Sequence, residues 1–337
     1  MASNRTVGRV ARVGWLRLGL GLGLGAAVAA VAGAACSKTD DTPPPGGPTC
    51  APSDPTCPAI SPDCLALTDN AGAAAFTLRL SQLTITKPTA LAQQFIAGLI
   101  GGGVNINLPQ CNVSGKGTFS WLLHFDTTTN MLLTGGALPK TDPSSGYCFV
   151  DDNVANIHPV QIATTVAPDG TFTAGPLADL TVPVYLDITA TSTVLLPLHQ
   201  LMITEAKVSA DHNCIGGFNW QGLQPLNNCK PNLDLGIDYY LNDATMAAYI
   251  TLEEADTVVV AELGKTLCVL LGANDPLYAD QSSPKKCLRD AGTNEIVLQG
   301  DWCSTTNAAG GCADSMQLAA EFAASAAELE AGCTLPP

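Results

Sequence analysis

Apolar residues at every second position are the feature that most limits the fold of this chain. The clearest run consists of Leu180, Val182, Val184, Leu186 and Ile188. Successive side chains of a β-strand point to opposite faces of a sheet, so this spacing predicts a strand with one buried face. Pro183 lies on the other face and lacks an amide proton, which favours an edge position or a bulge.

Other segments repeat this alternation. Residues 76–81 predict a half-buried strand with Phe76, Leu78 and Leu80 on its buried face, and residues 119–125 and 233–241 follow the same pattern. Pro168-Asp169-Gly170 predicts a turn. Frequent strands separated by Gly, Pro, Asn and Asp predict a mainly β fold, an antiparallel β-sandwich or barrel-like domain, rather than an α/β fold.

Two segments favour short helices. Residues 88–100 carry apolar side chains at helical spacing and end before Gly101. Thr251 and Glu254 form a capping box, apolar residues within 252–270 fall on one helical face, and Gly272 supplies a stop. We expect this second helix to cover an open end or face of the sheet.

The segment from Met316 to Leu329 combines two conflicting patterns. Its Ala, Glu, Gln, Leu and Met content favours a helix by propensity, whereas its apolar residues alternate strictly as far as Ala326. Because the rest of the domain is predicted to be β, we predict a strand that pairs beside the Phe76 strand. That pairing would bring Cys64 and Cys333 together.

The first 35 residues have the composition of an export signal. Their only charges are positive, and the eighteen residues from Leu18 to Ala35 carry none. A basic segment followed by an apolar segment is the order found in signal peptides. An uncleaved membrane anchor is the alternative, because eighteen residues reach the lower end of the ~17–25 that span a bilayer.

The junction Ala34-Ala35-Cys36 resembles the end of the signal peptide of bacterial lipoproteins, with Gly33 in place of the usual Leu. The resemblance implies that residues 1–35 are removed and that Cys36 becomes the first mature residue and carries the acyl chains. Two acyl chains, at ~0.8 kcal/mol per buried methylene, would anchor the protein in a membrane. Ser37 after the cysteine implies sorting to the outer membrane. The body resembles exported β-rich lipoproteins of Gram-negative bacteria that have no assigned activity.

Composition predicts two further parts of the chain. Residues 36–65 are dominated by Pro, Asp, Thr and Gly and predict a tether, and residues 66–337 predict a single β-rich domain. Without the first 35 residues, 11 basic and 30 acidic residues give a net charge of −19. Such a charge repels nucleic acid and keeps an exported protein soluble, so we expect no nucleic-acid partner.

The thirteen cysteines indicate disulfides in an oxidising compartment. If Cys36 is acylated, an even number is left: Cys50, Cys57, Cys64, Cys111, Cys148, Cys214, Cys229, Cys268, Cys287, Cys303, Cys312 and Cys333. Proximity in sequence suggests the pairs Cys50–Cys57, Cys111–Cys148, Cys214–Cys229, Cys268–Cys287 and Cys303–Cys312, although connectivity does not follow from sequence. These cysteines show neither Cys-x-x-Cys nor zinc spacing, so we expect structural bridges rather than a metal or redox site.

Candidate chemical groups are few. His124 and Asp126 share one face of a predicted strand, and Asp211 and His212 lie in a predicted loop, so a metal site or acid–base pair would form only if the fold united them. The alternative, solvated surface groups, fits a half-exposed sheet. We expect His199 to be a packed or edge residue. The Asp151-Asp152-Asn153 cluster indicates a solvated turn, with weak Ca²⁺ binding as the alternative, and His158 before Pro159 also indicates a turn.

The sequence therefore predicts a lipid-anchored envelope protein with a non-enzymatic binding or structural β domain, held in the outer membrane by its N-terminal acyl chains. Its ligand or envelope partner is not specified by any motif, and no cofactor, catalytic residue or metal ligand is assigned. The alternative is an envelope hydrolase that acts through a metal held by His124, Asp126 and His212.

Overall fold

The computed structural model describes part of the chain. The described residues are 64, 66–91, 106, 116–224, 226, 230–231, 240–241 and 244–330. The predicted signal peptide, Cys36, nearly all of the predicted tether, and most of the predicted strand over 233–241 and helix over 88–100 lie outside them.

β-Strands dominate the described residues, which confirms the predicted mainly β fold. The strands are β1 (Ala75–Lys87), β2 (Trp121–Asp126), β3 (Met131–Gly136), β4 (Val160–Ala163), β5 (Thr171–Tyr185), β6 (Thr193–Lys207), β7 (Cys214–Ile215), β8 (Gly217–Phe218), β9 (Leu223–Gln224), β10 (Lys230–Pro231), β11 (Tyr240–Leu241), β12 (Ala244–Thr251), β13 (Val259–Val260), β14 (Lys265–Thr266), β15 (Trp302–Cys303), β16 (Ala308–Ala309) and β17 (Ser315–Ala326). The described α-helices are α1 (Leu252–Ala255) and α2 (Leu267–Leu271), and short 3-10 turns occupy Pro143–Ser145, Trp220–Gly222, Ala261–Leu263 and Pro276–Tyr278.

Eleven of these strands form one antiparallel sheet that curls into a nearly closed barrel. Its main path runs β4-β3-β2-β1-β17-β12-β6-β5, and β7 and β15 attach to β17. At the seam, β5 at one end of the path contacts β4 and β3 at the other, and Gly136 of β3 lies against Pro183 of β5. β5 is the edge strand that Pro183 predicts, and irregularities interrupt its pairing with β6 between Phe172 and Leu177.

The predicted strand near the C-terminus is confirmed. β17 lies between β1 and β12, and it pairs with both in antiparallel register, for example Leu78 with Ala326 and Ile250 with Met316. The alternating pattern therefore outweighs the helix propensity of this segment, because a strand at this place fills the centre of the sheet.

Aromatic side chains form one end of the barrel interior. The ring of Phe125 stacks on that of Phe76 at a centroid distance of 5.0 Å and meets the ring of Phe172 edge-on at 5.0 Å. Leu78 and Leu80 continue this buried face along β1. The alternating residues identified in the sequence thus supply the core, as predicted for β1, β2 and β5.

The prediction that β1 is only half-buried is wrong. Thr77, Arg79 and Ser81, on its other face, are also buried. The reason is a second, smaller apolar cluster in which Tyr147 and Phe149 pack against the outer side of β2 and β3. A single alternating pattern does not reveal this cover, because the covering residues lie far away in sequence.

The predicted continuous helix after Thr251 is also wrong, although both of its ends are right. The capping box of Thr251 and Glu254 is present and starts α1, and Gly272 ends α2. Between them the chain forms the small hairpin of β13 and β14, and Gly264 closes its turn with a φ of 60°. β-Branched valines favour strands and glycine favours this left-handed conformation, so local preferences break the helix.

Three disulfides are described in full. Cys268–Cys287 and Cys303–Cys312 confirm the predicted pairs. Cys64 pairs with Cys214 instead, so the predicted Cys64–Cys333 and Cys214–Cys229 bonds are wrong. Pairing of Cys214 with Ser325 and a hydrogen bond from Leu67 to Ala326 place both cysteines at the same end of β17. Cys148 is also disulfide-bonded, whereas Cys50, Cys57, Cys111, Cys229 and Cys333 lie outside the described residues.

Candidate functional site

His124 projects from β2 beside the neighbouring strand β1. Its Nδ1 lies 2.9 Å from Thr77 Oγ1, its directly opposite cross-strand partner. Partial burial of the ring lowers the pKa of His124, and the charge of Asp126 opposes that change. At neutral pH the side chain is therefore a neutral hydrogen-bonding group of the sheet.

Asp126 ends β2 and organises the turn to β3. Its Oδ1 accepts hydrogen bonds from the amide and hydroxyl of Thr128, at 2.9 and 2.6 Å, and from the amide of Thr129 at 3.3 Å. These bonds, with the Thr128 hydroxyl contributing most, lower the pKa of Asp126 to about 2. The carboxylate has a structural task in the turn.

His212 lies on the opposite side of the sheet from His124. Its ring stacks on Phe76 at a centroid distance of 4.2 Å, and its Nδ1 lies 3.2 Å from the carbonyl oxygen of Ala73. Phe76 and Thr77 are successive residues of β1, so their side chains point to opposite faces. The fold therefore separates His124 from His212, and the proposed ligand set with Asp126 does not assemble.

Asp211 belongs to the loop before β7 and has local partners. Its Oδ1 accepts hydrogen bonds from the Ser209 hydroxyl at 2.5 Å and the Asn213 amide at 3.2 Å. Asn213 in turn donates to Asp69 at 3.1 Å, which links this loop to the residues just after Cys64. The predicted loop is thus a polar junction next to the Cys64–Cys214 bond.

The acidic cluster near residue 152 forms a turn, as the sequence indicates. Asp152 Oδ1 accepts from the amides of Val154 and Ala155, at 2.8 and 3.2 Å, and Asp151 lies 2.6 Å from His158 Nδ1. Both members of the Asp151–His158 pair are well exposed. The pair stabilises a surface loop and has the small energetic effect expected of a solvated ion pair.

The sequence does not reveal a set of three ionisable side chains that meet in the fold, which we call the His199 cluster: Asp179, His199 and Glu254. His199 Nδ1 lies 2.7 Å from Asp179 Oδ1 on the neighbouring strand β5, and its Nε2 lies 2.8 Å from both carboxylate oxygens of Glu254. The sequence predicts that His199 is a packed or edge residue, but it does not predict that the ring contacts two carboxylates.

A bulge in β6 directs His199 toward these partners. Tyr249 of β12 pairs with His199 and Ala247 pairs with Met202, so two residues of β6 face one of β12. Gln200, within that bulge, has a φ of 54°. The His199 ring stacks on Tyr249 at a centroid distance of 5.2 Å. Bulges commonly re-aim side chains, and here the result is an imidazole between two acids.

Exposure within the His199 cluster is uneven. The side chain of Asp179 is 80% exposed, that of Glu254 37% and that of His199 21%. Glu254 also accepts a 2.6 Å hydrogen bond from the Thr251 hydroxyl, which is part of the capping box of α1. A metal ion bound to one ring nitrogen would not be shared by both carboxylates, because they face different nitrogens. The arrangement suits proton binding rather than chelation.

Two groups of side chains in the described residues have the spacing of metal ligands, and both contain a disulfide. One joins Asp256 to Cys268 and Cys287, and the other joins Asp314 to Cys303 and Cys312. Sulfur atoms bonded to each other are not thiolates, which are the form that binds metals. These groups are therefore structural bridges with a nearby carboxylate.

A buried cation lies under the outer apolar cluster. Arg79 donates to Ser120 Oγ at 3.0 Å and to the carbonyl oxygens of Leu80 at 3.1 Å, Phe119 at 3.0 Å and Ile106. Its guanidinium carbon lies 5.4 Å from the centroid of the Tyr147 ring. Burial lowers the pKa of Arg79, yet a guanidinium stays charged at any ordinary pH. Arg79 therefore links β1 to Phe119 and Ser120, which come just before β2, and to Ile106.

Comparison with protein families, curated proteins and solved structures gives no match for this chain. Within the part of the chain that the structure describes, no helix is both long and apolar enough to cross a bilayer. The geometry of the described side chains and the sequence itself therefore carry the functional argument.

Proposed function

We infer that this chain is an exported lipoprotein, held in the outer membrane by an acylated Cys36, whose β domain binds a ligand or envelope partner or has a structural role there. The signal-like first 35 residues, the junction Ala34-Ala35-Cys36 and the acidic body support this proposal.

The disulfides carry the argument for export. Cys64–Cys214, Cys268–Cys287 and Cys303–Cys312 are all closed within the folded body, and Cys148 is bonded as well. Disulfides form and persist in oxidising compartments and are rare in the cytosol. A domain held by several such bonds is suited to the cell envelope.

The histidines support a binding or structural role rather than catalysis. All four lie in the described residues, and each has a hydrogen-bonding partner that explains it within the fold: Thr77 for His124, Asp151 for His158, Asp179 and Glu254 for His199, and Ala73 for His212. The histidine pair on which the hydrolase alternative depended lies on two faces of the sheet. The geometry thus favours the non-enzymatic proposal.

Mass spectrometry of the mature protein tests the anchor. We would express the full chain in a Gram-negative host, isolate it from membranes and determine the mass of its N-terminal peptide. The proposal expects a peptide that begins at Cys36 and carries acyl chains, and it expects Cys36→Ala to abolish the added mass and release the protein from the membrane fraction.

Cys50→Ala is the matched control, since it removes another cysteine of the predicted tether and should leave the acylated N-terminus intact. An N-terminus at a residue other than Cys36, or an unmodified Cys36, would overturn the proposed anchor.

A further inference from the structure

With both carboxylates ionised, the His199 cluster has a geometry that only one protonation state of the ring satisfies fully. A neutral imidazole has one N–H donor and one lone pair, whereas an ionised carboxylate only accepts hydrogen bonds. Both ring nitrogens of His199 lie within 2.8 Å of a carboxylate oxygen. Two hydrogen bonds at these distances therefore require a proton on each nitrogen, so that the ring is a cation between two anions.

The cluster lies where the backbone pairing of β6 with β12 ends. His199 opposite Tyr249 is the last pair of that ladder, and residues 193–198 of β6 pair with β5 alone. Asp179 lies on β5, the edge strand at the barrel seam, and Glu254 lies on α1, the first element after β12. The pairing of β5 with β6 becomes regular only from Leu177 onward, just before Asp179. A hydrogen bond of 2.7 Å from Ser192 to Glu262 is a second contact between the β5–β6 hairpin and the segment that contains α1.

We propose that His199 is a proton-dependent latch, in which its doubly protonated ring fastens the part of the β5–β6 hairpin beyond His199 to α1 and loss of one proton loosens that part. When the ring is neutral, one nitrogen presents a lone pair to a carboxylate at hydrogen-bonding distance, and that contact is repulsive. The part of the hairpin beyond His199 then loses one of its ties to α1. This regulation goes beyond the proposed anchoring role and does not depend on it.

The groups that face the ring determine the direction of the effect. These are Asp179 from β5, Glu254 from α1 and the phenol of Tyr249 from β12, while Asp314 adds negative charge near Tyr249. Partial burial lowers the pKa of His199, but the hydrogen bonds and charges of Glu254 and Asp179 outweigh it, so the pKa is raised. The phenol of Tyr249 has a raised pKa because of burial and the nearby carboxylates, and it stays neutral.

The direction of the pH dependence of the latch follows from the linkage between protonation and folding. An unfolded histidine has a pKa of about 6.5, and the folded His199 binds its proton more tightly. The latch is therefore fully closed below about pH 6.5 and opens as the pH rises through the folded pKa of His199. The expected behaviour is opposite to that of a buried histidine without acidic partners.

Two measurements on the purified full chain test the latch. Nitrogen-15 NMR of the imidazole should show both ring nitrogens of His199 protonated at pH 6, with a titration midpoint above about 6.5, the ordinary histidine value. Hydrogen exchange of amides in residues 177–185 and 193–201, corrected for the intrinsic effect of pH, should lose roughly tenfold in protection once the ring is neutral, as expected for loss of one charge-assisted hydrogen bond.

Variants separate the latch from general destabilisation. Asp179→Asn removes an exposed charge and should lower the titration midpoint of His199, and His199→Gln should give the low protection at every pH. Glu254→Gln should also lower the midpoint, while a glutamine still completes the capping box of α1. His158→Gln, in the exposed pair with Asp151, is the matched control and should keep the wild-type pH profile.

The proposal is overturned if His199 titrates at or below the ordinary histidine value. It is equally overturned if protection of the hairpin follows the same pH profile in wild type and His199→Gln, because the two proteins differ only in the group that is proposed to respond.

Discussion

The ring of Pro183 lies so close to Gly136 that no side chain fits between them. A β-carbon added at Gly136 would lie 2.5 Å from Cγ and 2.7 Å from Cδ of Pro183. The two residues belong to β3 and β5, whose approach closes the barrel. We predict that Gly136→Ala lowers the free energy of unfolding by about 1–3 kcal/mol, the usual effect of overpacking, as measured by urea denaturation.

Pro183 supplies the test of this explanation. The double variant Gly136→Ala with Pro183→Ala should recover part of the lost stability, because it removes the ring that the new methyl group meets. Gly292→Ala is the control on the surface, where the nearest atom is the side-chain oxygen Asp290 Oδ1 at 3.3 Å. Equal losses for Gly136→Ala and Gly292→Ala would contradict the close contact.

The Cys64–Cys214 bond should stabilise the domain more than the Cys303–Cys312 bond does. The first closes a loop of 150 residues and the second a loop of 9. Chain entropy gives roughly 5 and roughly 3 kcal/mol for such loops. We predict that replacing both cysteines of a pair by alanine costs more for Cys64 and Cys214, as measured by thermal unfolding, and a larger loss for the short loop would refute the ranking.

Arg79 should be intolerant of replacement by an apolar residue. Arg79→Leu leaves the carbonyl oxygens of Phe119 and Leu80 and the hydroxyl of Ser120 without their buried donor. Each unsatisfied buried group costs about 1–3 kcal/mol, so we predict a loss of at least about 3 kcal/mol in the free energy of unfolding.

Lys140→Met is the control for removal of a positive charge, because Lys140 forms a partly exposed ion pair with Glu330 at 2.6 Å. It should cost no more than about 1 kcal/mol. If denaturant titrations give similar losses for both variants, the carbonyl ligands of Arg79 are not the source of its effect.

The turn after β2 should respond to acid through Asp126. Its folded pKa of about 2 lies below the unfolded value, so its stabilising effect is complete above about pH 4 and disappears as the pH falls through the folded pKa. We predict that Thr128→Ala raises the pKa of Asp126 toward its ordinary value in a carbon-13 NMR titration. Thr127→Val, whose hydroxyl instead bonds to Ala74, should leave that titration unchanged.

Local periodicity was sufficient to predict much of the sheet. The alternating apolar residues of β1, β2, β5 and β17 lie in or against the main core, and this alternation depends only on strand geometry, although the other face of β1 is buried as well. The segment after Thr251 shows the limit of this approach, since helical caps at both ends and an apolar face did not outweigh the local preference of Val259 and Gly264 for a hairpin. The close disulfides Cys268–Cys287 and Cys303–Cys312 were predictable, and Cys64–Cys214 was not, because only the assembled sheet brings it together.

The His199 cluster could not be predicted for a similar reason. Asp179, His199 and Glu254 come from two strands and a helix, and their contact depends on the register between β5 and β6 and on the bulge at Gln200. The capping box identified Glu254 as a structural residue, but a local motif contains no information about a second partner. His124 and His212 show the opposite case. Their sequence context allowed a shared metal site, but the fold places them on opposite faces of the sheet.

The central position of β17 has a consequence for how the protein is made. β1 and β12 share this strand as a neighbour, although β1 precedes it by most of the chain. During synthesis, the facing edges of β1 and β12 are therefore exposed until residues 315–326 have emerged, and unpaired edges invite aggregation. Pairing over such a long separation is slow. In the proposed exported protein, the barrel would be completed only after translocation. Until then, the environment of the chain would have to prevent aggregation through the unpaired edges of β1 and β12.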